Sequence, residues 1–292
     1  MGLLDLPAEI LYPILELVVT ANRAPPATIE EAERCCHPTP RWTDQYNCGL
    51  RVRAEETVPW SNSFALLSSC KLLAELTESV ISDLWRQDRI VFSVDVLIVG
   101  EHELWPTWLC VPVAAASIDC LKVTIRIADG HRAETFDRLF GTEKVTCYRA
   151  SGLFVGNGGP PLFLWAFHYL LQSFLQRGIS LDVSQSTFIW EDAHNDRQLT
   201  VRLLHIDIST LEGAVLPPPE VANHDWLNAR PRRAQECKAG APELVWNLWQ
   251  YCMRPTWLAN FLSMGLHAMA DESYGTLLVG RVGKIEIHAD GE

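Results

Sequence analysis

The 292-residue sequence predicts an α+β protein in which N-terminal helices, interrupted by a long insertion, pack on a mixed α/β domain. Three observations carry this prediction. The opening residues 2–19 are apolar almost all the way round, so a helix there needs cover on two sides. Residues 120–127 set Leu121, Val123, Ile125 and Ile127 against polar neighbours with the period of two expected of a half-buried strand. Strand-like and helix-like stretches then alternate to the end of the chain without a repeat of fixed length, which favours a mixed α+β domain over a solenoid.

In the first helix Asp5 is placed to cap the start, Pro7 fits the first turn and Glu9 lies where the helix dipole favours an anion. Leu6, Ile10, Ile14 and Leu17 form one face and Leu11, Leu15 and Val18 the next, with Glu9 and Glu16 marking a narrow wet stripe. One apolar face serves the chain's own core and the other is available to a partner. Residues 22–60 contain paired prolines, scattered charges and no sustained period, and read as an irregular insertion with one helical turn at residues 29–33. From Ser61 the three- and four-residue spacing of Leu66, Cys70, Leu73, Leu76, Val80 and Leu84 predicts a second helix, with Ser61 or Asn62 as its cap.

Residues 1–88 are therefore assigned to the helical segment and 89–292 to the mixed domain. Within the latter, strands are predicted at 90–99, 120–127, 145–148, 153–155, 180–190 and 199–208. A helix at 161–176 places Leu162, Trp165, Ala166, Tyr169, Leu170 and Phe174 on a core face and ends at Gly178. A proline-rich connection at 216–241 precedes a helical region at 242–269 broken at Pro255, and residues 275–288 read as two strands around Gly280 and Gly283.

The N-terminal residues also carry a resemblance. Leu4-Asp5-Leu6-Pro7-Ala8-Glu9-Ile10-Leu11 followed by Ile14-Leu15 resembles the opening of an F-box, the helical module that docks on a Skp1-type ligase subunit. The run from Ala65 to Leu73, with its Leu66-Leu67 pair, Cys70 and Lys71, and then Asp83-Leu84-Trp85, resembles the later F-box helices. The continuation through Arg89 to Phe92 is similar to a fungal group of F-box-like proteins in which a strand follows the second helix. An ordinary F-box joins its halves by a short link, whereas here residues 22–60 intervene. The resemblance covers about the first third of the chain. It implies that Leu6, Pro7, Ile10, Leu11, Ile14 and Leu15, with Leu66, Leu67, Cys70 and Leu73, bind a Skp1-type adaptor protein while the C-terminal domain presents a protein substrate, its identity unknown, to a ubiquitin ligase. The alternative is an interaction protein without a ligase role, its helices packed wholly on the α+β domain.

Composition narrows the partners. A formal net charge of −12 and a single tight basic cluster, Arg230 to Arg233, exclude nucleic acid as an expected partner. No apolar run is long enough to span a bilayer, and Leu6 stands where a myristoylation motif needs Ser or Thr, so no membrane partner is expected. Nine cysteines without framework spacing, and no signal peptide, point to free thiols and a cytoplasmic or nuclear location.

Four constellations bear on chemistry. Cys35, Cys36, His37 and Cys48 offer soft metal ligands but no Cys-x-x-Cys pair, and read as free thiols. Residues 155–161, Val-Gly-Asn-Gly-Gly-Pro-Pro, match neither phosphate-binding fingerprint, and their prolines remove N–H donors, so a tight turn is expected. His205 and Asp207, two apart on a predicted strand, point the same way. With a later His267 or His288, and Arg281 downstream, they outline the two-His-one-carboxylate set of non-haem iron oxygenases. His194 and Asp196 repeat the spacing nearby, so the reading adopted is hydrogen-bonded residues on a sheet face. No nucleophile elbow occurs. The sequence thus assigns no catalytic residue, no metal and no cofactor, and the protein is read as a non-enzyme. Of eleven tryptophans, most fall at core spacing, and an exposed pair at Trp246 and Trp249 would mark a partner site.

Overall fold

The computed structural model describes residues 3–38, 51–55, 60–99, 103–128, 199–212, 255–269, 278 and 280–289, together with 167, 168, 170, 171, 174–176, 178 and 179. Helices α1 (Ala8–Val19), α2 (Ile29–Cys35), α3 (Phe64–Leu67), α4 (Lys71–Arg86) and α5 (Pro255–Met269) accompany strands β1 (Cys36–Pro38), β2 (Arg51–Glu55), β3 (Val91–Val99), β4 (Glu103–Cys110), β5 (Ser117–Ile127), β6 (Thr200–Thr210) and β7 (Val282–Ala289). The described residues between 167 and 176 are also helical. The α+β class expected from the sequence is what these elements form.

The centre of the fold is a mixed sheet in the order β4-β3-β5-β6-β7, extended beyond β4 by the short strands β2 and β1. β4 runs antiparallel to β3, whereas β3, β5, β6 and β7 are mutually parallel. Each parallel strand joins the edge left by the one before it. All seven central residues of β3 are buried, as expected of a strand covered on both faces. The main core lies on one face, where Val94, Val96, Leu121, Val123, Leu204 and Ile206 meet Leu11 and Leu15 of α1, Leu73, Val80 and Leu84 of α4, Phe167, Leu171 and Phe174, and Leu258 and Leu262 of α5. A smaller cluster on the other side joins Ala32 of α2 to Leu97, Trp105 and Ala128.

Several local expectations are corrected. The first helix begins at Ala8 rather than residue 2: Leu3–Asp5 form a separate 3-10 turn and Pro7 is the N-cap, with no side-chain cap. The N-cap position thus falls on Pro7 rather than Asp5, and the Pro7 carbonyl accepts from the Ile10 and Leu11 amides at 3.0 Å. The second helix is two helices, because Ser68, Ser69 and Cys70 break it. Ser69 Oγ donates to the Leu66 carbonyl at 2.8 Å, the local side-chain bond that competes with helical continuation, and Cys70 is extended. Neither Ser61 nor Asn62 is its cap, which is Ser63 for α3. Asn62 instead donates to the Val19 and Ala21 carbonyls at the end of α1, at 3.0 and 2.8 Å. α4 ends as a Schellman motif, with the Arg89 amide on the Leu84 carbonyl, the Asp88 amide on that of Trp85, and Asp88 at φ 56.

The insertion 22–60 is not wholly irregular, since it contributes α2, β1 and β2. α2 starts with a reciprocal cap: Thr28 Oγ1 accepts from the Glu31 amide at 3.2 Å while Glu31 Oε2 accepts from the Ala27 amide at 2.8 Å. β4 was not expected, because Pro106 interrupts its strand-like residues. The proline is tolerated where the outer neighbour β2 pairs only with Glu103 and Leu104.

Gly178, at φ +86, stops the helix before it as predicted, with its amide on the Phe174 carbonyl at 2.8 Å. Phe167, Leu171 and Leu175 join the expected Leu170 and Phe174 as buried residues. The C-terminal expectation of two strands around Gly280 and Gly283 gives way to one strand, β7, parallel to β6 and preceded by a turn at Gly280. Gly283 lies inside it, where a Cβ would stand 2.7 Å from the Arg202 carbonyl oxygen of β6. Gly283→Ala should therefore cost about 1–3 kcal/mol as the two backbones are forced apart. Urea denaturation measures this, and an unchanged midpoint would disprove the close approach. The expected strands at 145–148, 153–155 and 180–190 lie outside the described residues.

Candidate functional site

The predicted partner-binding residues divide between two faces of α1. Leu11, Leu15 and Val19, spaced by four, are buried in the main core. On the opposite side Ile10, Ile14 and Leu17 recur at i, i+4 and i+7; Ile10 is 52% and Leu17 70% exposed, and Ile14 is half-buried. Val18, grouped by the sequence with Leu11 and Leu15, is exposed, unlike those two. Leu6 is half-buried and Pro7 exposed beside this row. From the later helices, Leu73 is inside the core, Leu66 and Leu67 pack partly against it, and Cys70 is exposed. Leu11, Leu15 and Leu73 are thus consumed by the chain's own core and are not available for docking.

Further large apolar side chains stand exposed in the same helical segment. Trp60 is 74% exposed and stacks on Phe64 with ring centroids 4.4 Å apart; Leu4 and Leu72 are also exposed. The sequence reading missed Trp60 and Phe64, although Trp60 closing a proline-bearing stretch was a visible signal. α1 is held in place by the Tyr12 hydroxyl, bonded to Ser79 Oγ of α4 at 3.0 Å, and by an ion pair between Glu16 and Arg89. The exposed row therefore sits on a fixed helix.

A second constellation lies on the sheet face opposite the main core. In β5, β6 and β7 the residues alternating with the buried Leu121, Val123, Leu204 and Ile206 point away from it. The register aligns Lys122, His205 and Glu286 in one row and Thr124, Asp207 and His288 in the next. Lys122 Nζ lies 2.8 Å from Asp207 Oδ2, and Lys284 Nζ lies 2.5 Å from Glu286 Oε1. Between the two carboxylates, His205 Nε2 is 3.0 Å from Asp207 Oδ1 and His205 Nδ1 is 3.5 Å from Glu286 Oε2. The rings of His205 and His288 are 4.9 Å apart.

Burial pulls the Asp207 carboxyl upward, but the hydrogen bond from Lys122 and the charges of His205 and Lys122 outweigh it and hold the group below its ordinary range. The Glu286 carboxyl is lowered, first by the hydrogen bond from Lys284 and then by that from His205. Both stay ionised at neutral pH. Of the residues suggested by the sequence, the structure brings His205, Asp207 and His288 together and adds Lys122 and Glu286. Those two are brought beside His205 by the register of β5, β6 and β7. His267 falls in α5 and Arg281 just before β7, while His194 and Asp196, the glycine-rich 155–161 stretch, Cys48, Trp246 and Trp249 lie outside the described residues.

Among the described cysteines, Cys70, Cys110 and Cys120 are free thiols. Burial pushes Cys110 up to about 11 against the hydrogen bond from Asn62, so it is protonated and inert at neutral pH. An apolar cavity of about 30 Å³, lined by Val94, Val96, Trp108, Leu121, Phe167 and Phe174, is an order of magnitude smaller than a metabolite pocket. No described helix is long and apolar enough to cross a membrane. Comparison with protein-family models, curated proteins and solved structures finds no match to this chain.

Proposed function

We propose that the chain is an F-box-like protein-interaction adaptor, docking on a Skp1-type subunit through the outer face of α1 and presenting a protein substrate to a cullin-type ubiquitin ligase through its sheet domain. The observation that supports this reading is the row Ile10, Ile14 and Leu17, left facing solvent on a helix whose opposite row is locked in the core. A row of aliphatic side chains on a rigid, apolar helix needs cover. Leu6 and Pro7 continue the row, and Leu66 and Leu67 of α3, with the exposed Cys70 between α3 and α4, supply the second part of the surface. Burying each aliphatic side chain contributes ~1.5–3 kcal/mol before association costs, enough for a stable complex when several are buried together.

The test is co-purification of the full-length chain with recombinant Skp1, beside an Ile10→Asp/Leu17→Asp double variant. Both positions are exposed in the free chain, so the variant keeps its fold by circular dichroism. A complex with the wild-type chain, weakened at least a hundredfold in the variant, is expected. Absence of a complex, or equal binding by the variant, would remove the ligase reading.

A further inference from the structure

We propose that His205, Glu286 and His288 form a binding site for a first-row divalent transition-metal ion of the Zn²⁺ class, with Asp207 as the residue that positions His205. One donor atom from each of the three lies within 4.8 Å of the other two, and all three project from the exposed face of β6 and β7. This proposal is independent of the adaptor reading.

The hydrogen bonds of His205 give the site its direction. Asp207 Oδ1, 3.0 Å from Nε2, engages that nitrogen and fixes the orientation of the ring. The other ring nitrogen, Nδ1, faces Glu286 Oε2 at 3.5 Å. An imidazole nitrogen and a carboxylate oxygen that converge in this way are the donor types a divalent transition-metal ion takes. Their separation also suits one: two ligands each ~2.0–2.1 Å from a tetrahedral ion are about 3.4 Å apart. The arrangement in which a carboxylate fixes one nitrogen of a histidine whose other nitrogen meets the metal is the usual support of such ligands.

The flanking lysines orient the acceptors. Lys122 holds Asp207 Oδ2 and Lys284 holds Glu286 Oε1, which leaves Oδ1 and Oε2 turned toward His205 from either side. His288 is exposed, and its side chain can rotate inward to complete three protein ligands. Two imidazoles and one carboxylate suit zinc, cobalt or copper better than calcium or magnesium, which prefer all-oxygen sites. A fourth position stays open to solvent.

The experiment is titration of the full-length, chelator-treated chain with Co²⁺, followed by competition with Zn²⁺. Saturation at one Co²⁺ per chain is expected, with visible ligand-field bands and without the near-ultraviolet thiolate bands that a cysteine site would give. His288→Ala and Glu286→Gln should each weaken binding at least tenfold, and Asp207→Asn by 10–100-fold, the range for loss of a supporting carboxylate. Glu75→Gln, on the exposed side of α4, should leave it unchanged. No saturable uptake by the wild-type chain would overturn the proposal. Thiolate bands, or wild-type affinity in folded His288→Ala, would overturn it equally.

Discussion

Arg126→Met should destabilise the protein by about 3–5 kcal/mol, the range for stranding one partner of a buried ion pair. Asp95 stands in the middle of β3 with its side chain 1% exposed, and the Arg126 side chain from β5 is 12% exposed. The guanidinium grips the carboxylate with both arms, Nε to Oδ1 at 2.6 Å and Nη2 to Oδ2 at 2.8 Å, and Nη2 also donates to the Pro26 carbonyl at 2.8 Å. Methionine fills much of the same volume but leaves the buried carboxylate without its cation, beside only the neutral Thr107 and Thr124 on the neighbouring strands.

The pH dependence follows from Asp95. Burial raises its carboxyl above the ordinary value, and Arg126, by hydrogen bond and charge, only partly opposes this. Between the unfolded and folded values the native state holds a proton that the unfolded chain releases, so stability falls as pH rises through that window. Removing Arg126 lifts the folded value further and extends the window upward. The loss should therefore be smaller at pH 5 than at pH 8, as measured by urea denaturation at both. A uniform loss would refute the account. The double variant Asp95→Leu/Arg126→Met should recover most of the stability, since an apolar pair replaces the buried charges.

Trp108→Ala should cost a comparable ~3–5 kcal/mol. The indole from β4 is buried, tilts against Phe174 at 5.4 Å and donates from Nε1 to the Ile179 carbonyl at 3.0 Å. It borders the small apolar cavity, so truncation enlarges an existing void and leaves the Ile179 carbonyl without its donor. Trp108→Phe keeps most of the packing and loses only the hydrogen bond and part of the ring, with ~1–2 kcal/mol expected. Chemical denaturation separates the two variants. Equal losses would mean that the hydrogen bond, not the volume, fixes the helix around Phe174 to the sheet.

How far the sequence reveals this fold depends on whether the signal is periodic. β5 and β6 declare themselves because one face of each is buried and the other wet, and the inward row of α1 is plain from Leu11 and Leu15. β3 and β4 are harder. β3 is covered on both faces and loses its alternation, and Pro106 disguises β4. The split between α3 and α4 is hidden because three small polar residues read as helix until Ser69 turns onto the Leu66 carbonyl.

The same distinction applies to the sites. His205 and Asp207 share a strand and can be found by local spacing, whereas Lys122 and Glu286 reach them only through the register of three parallel strands, which no local pattern specifies. Asp95 and Arg126 were open to detection in another way. A charge set between Val94 and Val96, and another between Ile125 and Ile127, are improbable in a buried sheet unless they meet.

The core that holds α1 has a consequence for when its outer face exists. Leu11 and Leu15 belong to the same buried cluster as residues of α4 and of β3, β5 and β6, so the row Ile10, Ile14 and Leu17 keeps its place in the fold only while the distant strands are assembled. A chain whose sheet has come apart keeps the apolar side chains but loses their arrangement. Recognition of that row by a partner would thus report on the integrity of the whole molecule, and a lesion at Arg126 or Trp108, far away in sequence, would silence it without touching a single contacting residue.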